Sequence, residues 1–169
     1  METEEYTVYS NLIESWYVNH VTRLIVIEDH RELGEGAWHG ALEGGLKILI
    51  EAFPDVAEEV MSHFKRRNKN PGLLKPLFSL SVPYVLIGSE EVEDIFQLDG
   101  DGWEEFYRRY PNSPGTIWLS RVGFDARKNY ALVYIGRQSH WRAGAGHFVI
   151  LKKENGTWAV QRETMIWIS

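Results

Sequence analysis

The stretch SHWRAGAGH, residues 139–147, carries the residue types best suited to chemistry in this chain. His140 and His147 stand on either side of Trp141, Arg142 and a run of small residues. Imidazole titrates near neutral pH, so two of them flanking a tight connection could act as general acid and base. They could equally supply half of a metal site, although zinc needs further ligands, and only the fold could bring Asp29, His30 or Glu163 to them. Trp141 and Arg142 add a stacking surface and a bidentate donor for a planar or anionic ligand. The competing structural reading is a solvated hairpin tip in which Gly144 and Gly146 serve backbone geometry.

VIEDHRE (26–32) is the second candidate, because a strand end that carries carboxylates beside an imidazole is a useful acid/base position. Neighbours in a strand point to opposite faces, so at most Glu28 and His30 share a side. Glu28 oriented against a histidine could polarise a water. The structural alternative is an edge blunted by charge. In LDGDGWEE (98–105), Asp99 and Asp101 imitate the start of a calcium loop, but Trp103 stands where a ligand is needed, so a turn and helix cap explain the stretch better. FKRRNKN (64–70) is the basic run, and cations at a helix C-terminus need no ligand to explain them.

With 18 Lys and Arg against 24 Asp and Glu, the net charge of −6 argues against a nucleic-acid partner. No apolar run approaches the roughly 20 residues of a membrane span. The opening METEEYTVYS has no signal-peptide pattern. A leader removed earlier would leave the same start, so an extracytoplasmic home stays open. The absence of cysteine excludes disulfides, thiol catalysis and cysteine-based zinc sites. No G-x-S-x-G, P-loop, dinucleotide fingerprint or H-E-x-x-H occurs, and no cofactor or metal is expected.

These candidates must be positioned by helices first and strands last. Residues 4–21 place Tyr6, Tyr9, Leu12, Ile13, Trp16, Tyr17 and Val21 on one helical face. RLIVIED (23–29) reads as a strand and 31–36 as a loop. Helical spacing returns over 37–53 and again over 54–68, where Asp55 and Glu58 make a capping box. Residues 80–88 read as extended, with Pro83 marking an edge or a strand start. Ser89 is expected to cap a helix through Phe96, and Asp101 with Glu104 to cap WEEFYRRY. Four strand-like runs follow, over 116–124, 130–138, 146–153 and 157–169, and Asn155-Gly156 is a type I′ hairpin signal. The expected fold is one α+β domain over 1–169, with N-terminal helices packed on a curved C-terminal antiparallel meander, in outline like the cystatin and NTF2 cone folds. Trp16, Trp38, Trp118, Tyr134, Trp158 and Trp167 would either line the cone's cavity or fill its core.

LSRVGFD (119–125), NYALVYIG (129–136), GAGHFVILKKENGTWAV (144–160) and MIWIS (165–169) together resemble a widespread group of uncharacterised bacterial proteins, often predicted to be exported. VIED, VPYVLI and FYRRYPNSPG fit the same group, so the resemblance spans most of 24–169. It implies no established activity. Many members carry cysteines in the loop that is QSHWRAGAGH here, and often Tyr where His147 stands, which favours the structural reading of that loop.

The leading functional expectation is a non-catalytic module that binds a small molecule or a protein, with Trp141, Arg142, Arg137 and Tyr134 as contact residues. One alternative is a cofactor-free hydrolase or isomerase in which His140 or His147 is the base, Glu28 or Asp29 orients it, and Arg137 or Arg142 holds an anion. Another is an acidic inhibitor or immunity-type protein.

Overall fold

The computed structural model describes residues 2–30, 44, 46–51, 53–97 and 99–169. The loop expected at 31–36, Trp38 and much of the helix expected over 37–53 lie outside them. In chain order the elements are α1 (Glu2–Tyr17), β1 (Ile25–Glu28), α2 (Glu58–Arg67), β2 (Tyr84–Ile87), α3 (Ser89–Phe96), α4 (Gly102–Arg109), β3 (Thr116–Leu119), β4 (Gly123–Phe124), β5 (Tyr130–His140), β6 (Ala143–Glu154) and β7 (Thr157–Ile168). Residues 46–51 are also helical.

Along β5 the alternation decides the architecture. Ala131, Val133 and Ile135 point to one face, Leu132 and Tyr134 to the other, and all are buried. A strand apolar on both faces must be covered on both. On the first face α1 lays Tyr6, Val8, Tyr9, Leu12 and Ile13 against Ile25, Ile27, Ile117 and Val133. Each large apolar side chain so buried stabilises the fold by about 1.5–3 kcal/mol. On the second face α2 sets Val60, Met61 and Phe64 against Leu132, Tyr134, Phe148 and Ile150. Farther along that face, Ile95, Trp103 and Phe106 of α3 and α4 cover Val26 and Ile87. The result is α+β, helices early and strands late.

The sheet runs β2-β1-β3-β5-β6-β7, with β4 also paired to β5. β3 through β7 form the expected antiparallel hairpins. The sheet extends past that meander at the other edge, where β1 runs parallel to both β2 and β3. The connections from 28 to 84 and from 87 to 116 are long enough to return the chain in the same direction. Residues 116–124 divide into two strands because Ser120 turns its hydroxyl onto the backbone, accepting from Tyr134 N at 2.8 Å and donating to Arg121 O at 3.0 Å.

Three helix boundaries differ from the sequence reading. α1 stops at Tyr17, where Thr22 Oγ1 donates to the Tyr17 carbonyl, and Val21 is exposed beyond it. The capping box at Asp55 does not form: α2 begins at Glu58, and Asp55 instead takes a bidentate pair from Arg162 at 2.6 and 2.7 Å. Ser89 is the first residue of α3 and Gly88 its N-cap. Asp101 does cap α4, accepting from Trp103 N at 3.0 Å. Asn155 and Gly156 adopt φ of 51° and 80°, as a type I′ turn requires.

A buried carboxylate ties these layers together. Glu5 on α1 is fully buried; its Oε1 accepts from Tyr9 Oη, Arg121 Nε and Val122 N, and its Oε2 from Arg67 and Arg121. The basic run thus sends Arg67 inward, to Glu5 and to the Val122 carbonyl at 2.7 Å. Gly123 lies so close to α2 that a Cβ there would stand 2.5 Å from Phe64. The arginine and glycine of LSRVGFD are therefore explained by packing.

Candidate functional site

Strand pairing decides the fate of the two histidines. His140 pairs with Ala143 at the end of β5, whereas His147 on β6 pairs with Ile135. The strand from 135 to 140 spans on the order of 17 Å at the usual rise, so the rings do not form a pair. The connection is shorter than the sequence implied, because β5 continues to His140 and β6 restarts at Ala143. His140 and Arg142 are exposed at this turn. Trp141 is 53 % exposed, yet its ring meets Phe96 and Trp103 edge-on and its Nε1 donates to Asp101 at 3.2 Å. It fastens the hairpin to α4. Tyr134 is corrected as a ligand contact: it is buried, and its hydroxyl accepts from Trp167 Nε1 at 2.7 Å.

His147 and Arg137 occupy a different place, at the C-terminal end of α1. Ser15, Trp16, Tyr17, Arg137, Ala145, His147 and Glu163 line an open groove of about 420 Å3. The positions follow from register, since Arg137 pairs with Ala145 across β5 and β6, and His147 lies beside β7. Trp16 meets the His147 ring edge-on at 5.3 Å. The Arg137 guanidinium sits 5.6 Å from the centre of the Tyr17 ring and donates to the Pro114 carbonyl at 2.9 Å.

Electrostatics separate the roles in this groove. Burial pushes the Tyr17 hydroxyl up to about 12, against the pull of Arg137, so it stays protonated and neutral. Burial also lowers the His147 pKa, opposed by the nearby Glu163 carboxylate. His147 Nε2 lies 3.5 Å from Glu163 Oε2, and its Nδ1 is buried without a hydrogen-bond partner. The imidazole is thus a largely neutral wall, with its one accessible nitrogen beside a carboxylate. Among the described residues of the aromatic set, Trp16 reaches this groove, while Trp158 and Tyr134 are buried in the core and Trp118 stacks on Trp167 at 5.9 Å.

Glu28 stands apart from both histidines named as bases. Its Oε1 accepts from Thr116 Oγ1 at 3.1 Å, and its Oε2 lies 3.2 Å from Nε2 of His30. Strand alternation allows Glu28 and His30 a common side, and the two side chains meet. Thr116 was not readable, because the pairing of β1 with β3 joins residues far apart in sequence. Among the described residues, no three His, Asp or Glu side chains gather as a metal ion would need, and no helix is long and apolar enough to cross a membrane. Compared with protein-family models, curated proteins and solved structures, the chain gives no match.

Proposed function

We propose that this chain is a ligand-binding domain whose groove at the end of α1 takes a small organic carboxylate with an apolar body. The observation that carries this reading is the position of Arg137, its guanidinium over Tyr17 and facing the same groove as Trp16, His147 and Glu163. A guanidinium offers five N–H donors, of which the Pro114 carbonyl accepts from NH1 and the Tyr17 hydroxyl takes another. The remaining donors suit a carboxylate, which a planar fork binds with charge-assisted hydrogen bonds. Trp16 and Tyr17 supply the apolar wall against which an aromatic or aliphatic body desolvates. Glu163 disfavours a second negative charge and favours an ammonium group, so amino acids and related zwitterions fit better than dicarboxylates.

The test is NMR shift mapping with phenylalanine, leucine, their deaminated acids and their neutral amides. Saturable shifts clustered at Trp16, Tyr17, Arg137 and His147 are expected for the carboxylates and not for the amides. Arg137→Gln should weaken binding about 10- to 100-fold, the loss of a charge-assisted bond. The reading is wrong if no carboxylate perturbs the groove saturably, or if Arg137→Gln binds as tightly as the parent.

A further inference from the structure

Ser89 does not cap α3, and its side chain is turned elsewhere: Oγ lies 3.5 Å from Nδ1 of His30. The opposite ring nitrogen, Nε2, is the one held 3.2 Å from Glu28, whose other oxygen is fixed by Thr116. A serine, a histidine and a carboxylate therefore stand in a chain, in the order that activates a hydroxyl. We propose that Ser89, His30 and Glu28 form a nucleophile, a base and a positioning carboxylate for the hydrolysis of small esters.

Topology places this chain at the carboxyl ends of two parallel strands. β1 and β2 run parallel, and Glu28 pairs with Ile87 at their last residues. Both carboxyl ends therefore finish together, and ligands bind outside the carboxyl ends of parallel strands. Gly88 and Ser89 follow at once as the strand gives way to α3. The first backbone N–H groups of that helix, at Ser89 and Glu90, have no carbonyl within the helix to bind, which leaves them as donors for a developing oxyanion at the favourable end of the dipole. Glu28 shares a face with Val26 and Thr116, opposite the face of Ile27 and Ile117 on which Arg137 lies. The chain is thus independent of the carboxylate groove.

In the proposed reaction Ser89 Oγ bonds to the ester carbonyl carbon while its proton passes to His30 Nδ1. The carbon–oxygen bond to the alcohol then breaks, and His30 returns the proton to the leaving oxygen. Water attacks the acyl-serine, giving its proton to His30, and the carboxylic acid departs as Ser89 regains its hydrogen. The sum is ester plus water giving acid plus alcohol. Glu28 keeps the Nε2 proton in place, so that Nδ1 carries the lone pair, and it stabilises the imidazolium formed on the way. Asp29 Oδ1, 3.7 Å from Nδ1, lies beyond hydrogen-bond reach and adds charge stabilisation alone.

The experiment is labelling of the intact chain with an alkyl fluorophosphonate, which phosphonylates an activated serine with loss of fluoride, followed by peptide mass spectrometry. An adduct at Ser89 is expected, absent in Ser89→Ala. His30→Gln should slow labelling about 100-fold, the contribution of a positioned base. Far-UV circular dichroism checks that each variant is folded, and His30→Asn provides a second histidine variant. Glu28→Gln should slow labelling less and move the acid limb of its pH profile downward, because the imidazolium loses its carboxylate partner. Loss of side-chain packing alone would not move that limb. No adduct at Ser89 of the folded parent, or a labelling rate that His30→Gln and His30→Asn leave unchanged, overturns the proposal.

Discussion

At the scale of single residues, His147 carries the clearest consequence. Its pKa is lowered by burial, so the unfolded chain binds a proton more readily than the folded one. Stability therefore rises with pH across the interval between the two values. The contribution is fully present above the ordinary imidazole pKa of about 6.5, and it is lost as pH falls through the lower folded value. Urea midpoints at pH 8 and pH 5 should differ less for His147→Gln than for the parent, provided both remain folded. Equal losses in the two proteins would show that the buried ring does not set this dependence. The residue scale is also where the sequence was least legible. Spacing alone brought His140 and His147 together, and the β5–β6 register keeps them apart. Alternation allowed Glu28 and His30 a common side, and their side chains meet at 3.2 Å just past the end of β1. Ser89 and Thr116 were out of reach, since their contacts join residues 59 and 88 positions apart.

At the scale of elements, the docking of α2 on β4 depends on the missing side chain at Gly123. A Cβ there would meet the backbone nitrogen and Cα of Phe64 at 2.6 and 2.7 Å. Backbone cannot rotate away, so the helix must lift from the sheet. Gly123→Ala is expected to destabilise the protein by about 1–3 kcal/mol, the usual cost of overpacking. It should also increase hydrogen exchange across α2 more than across α1. A variant as stable as the parent would mean that α2 shifts without losing its contacts. Elements with local signals were legible: the Asn155-Gly156 turn and the Asp101 cap are set by residues next to one another. The Asp55 capping box had the same kind of signal and did not form. Arg162, on β7, binds both oxygens of Asp55 and holds that carboxyl below its usual range, which removes it from the helix end. A tertiary partner outweighs a local cap that contributes on the order of 1 kcal/mol.

At the scale of the whole molecule, the helical layers share one sheet, and that sharing couples their stabilities. Leu132 and Tyr134 belong to the core under α2, whereas Ala131, Val133 and Ile135 on the same strand belong to the core under α1. Neither face can be dismantled while β5 and β6 stay ordered for the other, and Glu5 further links α1 to Arg67 on α2. Antiparallel pairing of the last strands was legible because consecutive hairpins are local, but the parallel placement of β1 between β2 and β3 was not. Its neighbours are chosen by long crossovers and by the burial of Val26 and Ile27 on opposite faces. This arrangement makes a concrete expectation about unfolding. Leu12→Ala empties part of the core beneath α1 and should cost about 2–5 kcal/mol, while Phe64→Ala does the same beneath α2 at about 3–5 kcal/mol. If the faces are coupled, each variant lowers the urea midpoint of one transition. Tryptophan fluorescence and far-UV circular dichroism should then coincide in the parent and in both variants. If Phe64→Ala instead splits the curve into two steps, the α2 layer unfolds from a sheet that α1 alone can hold, and the shared-sheet account of stability fails.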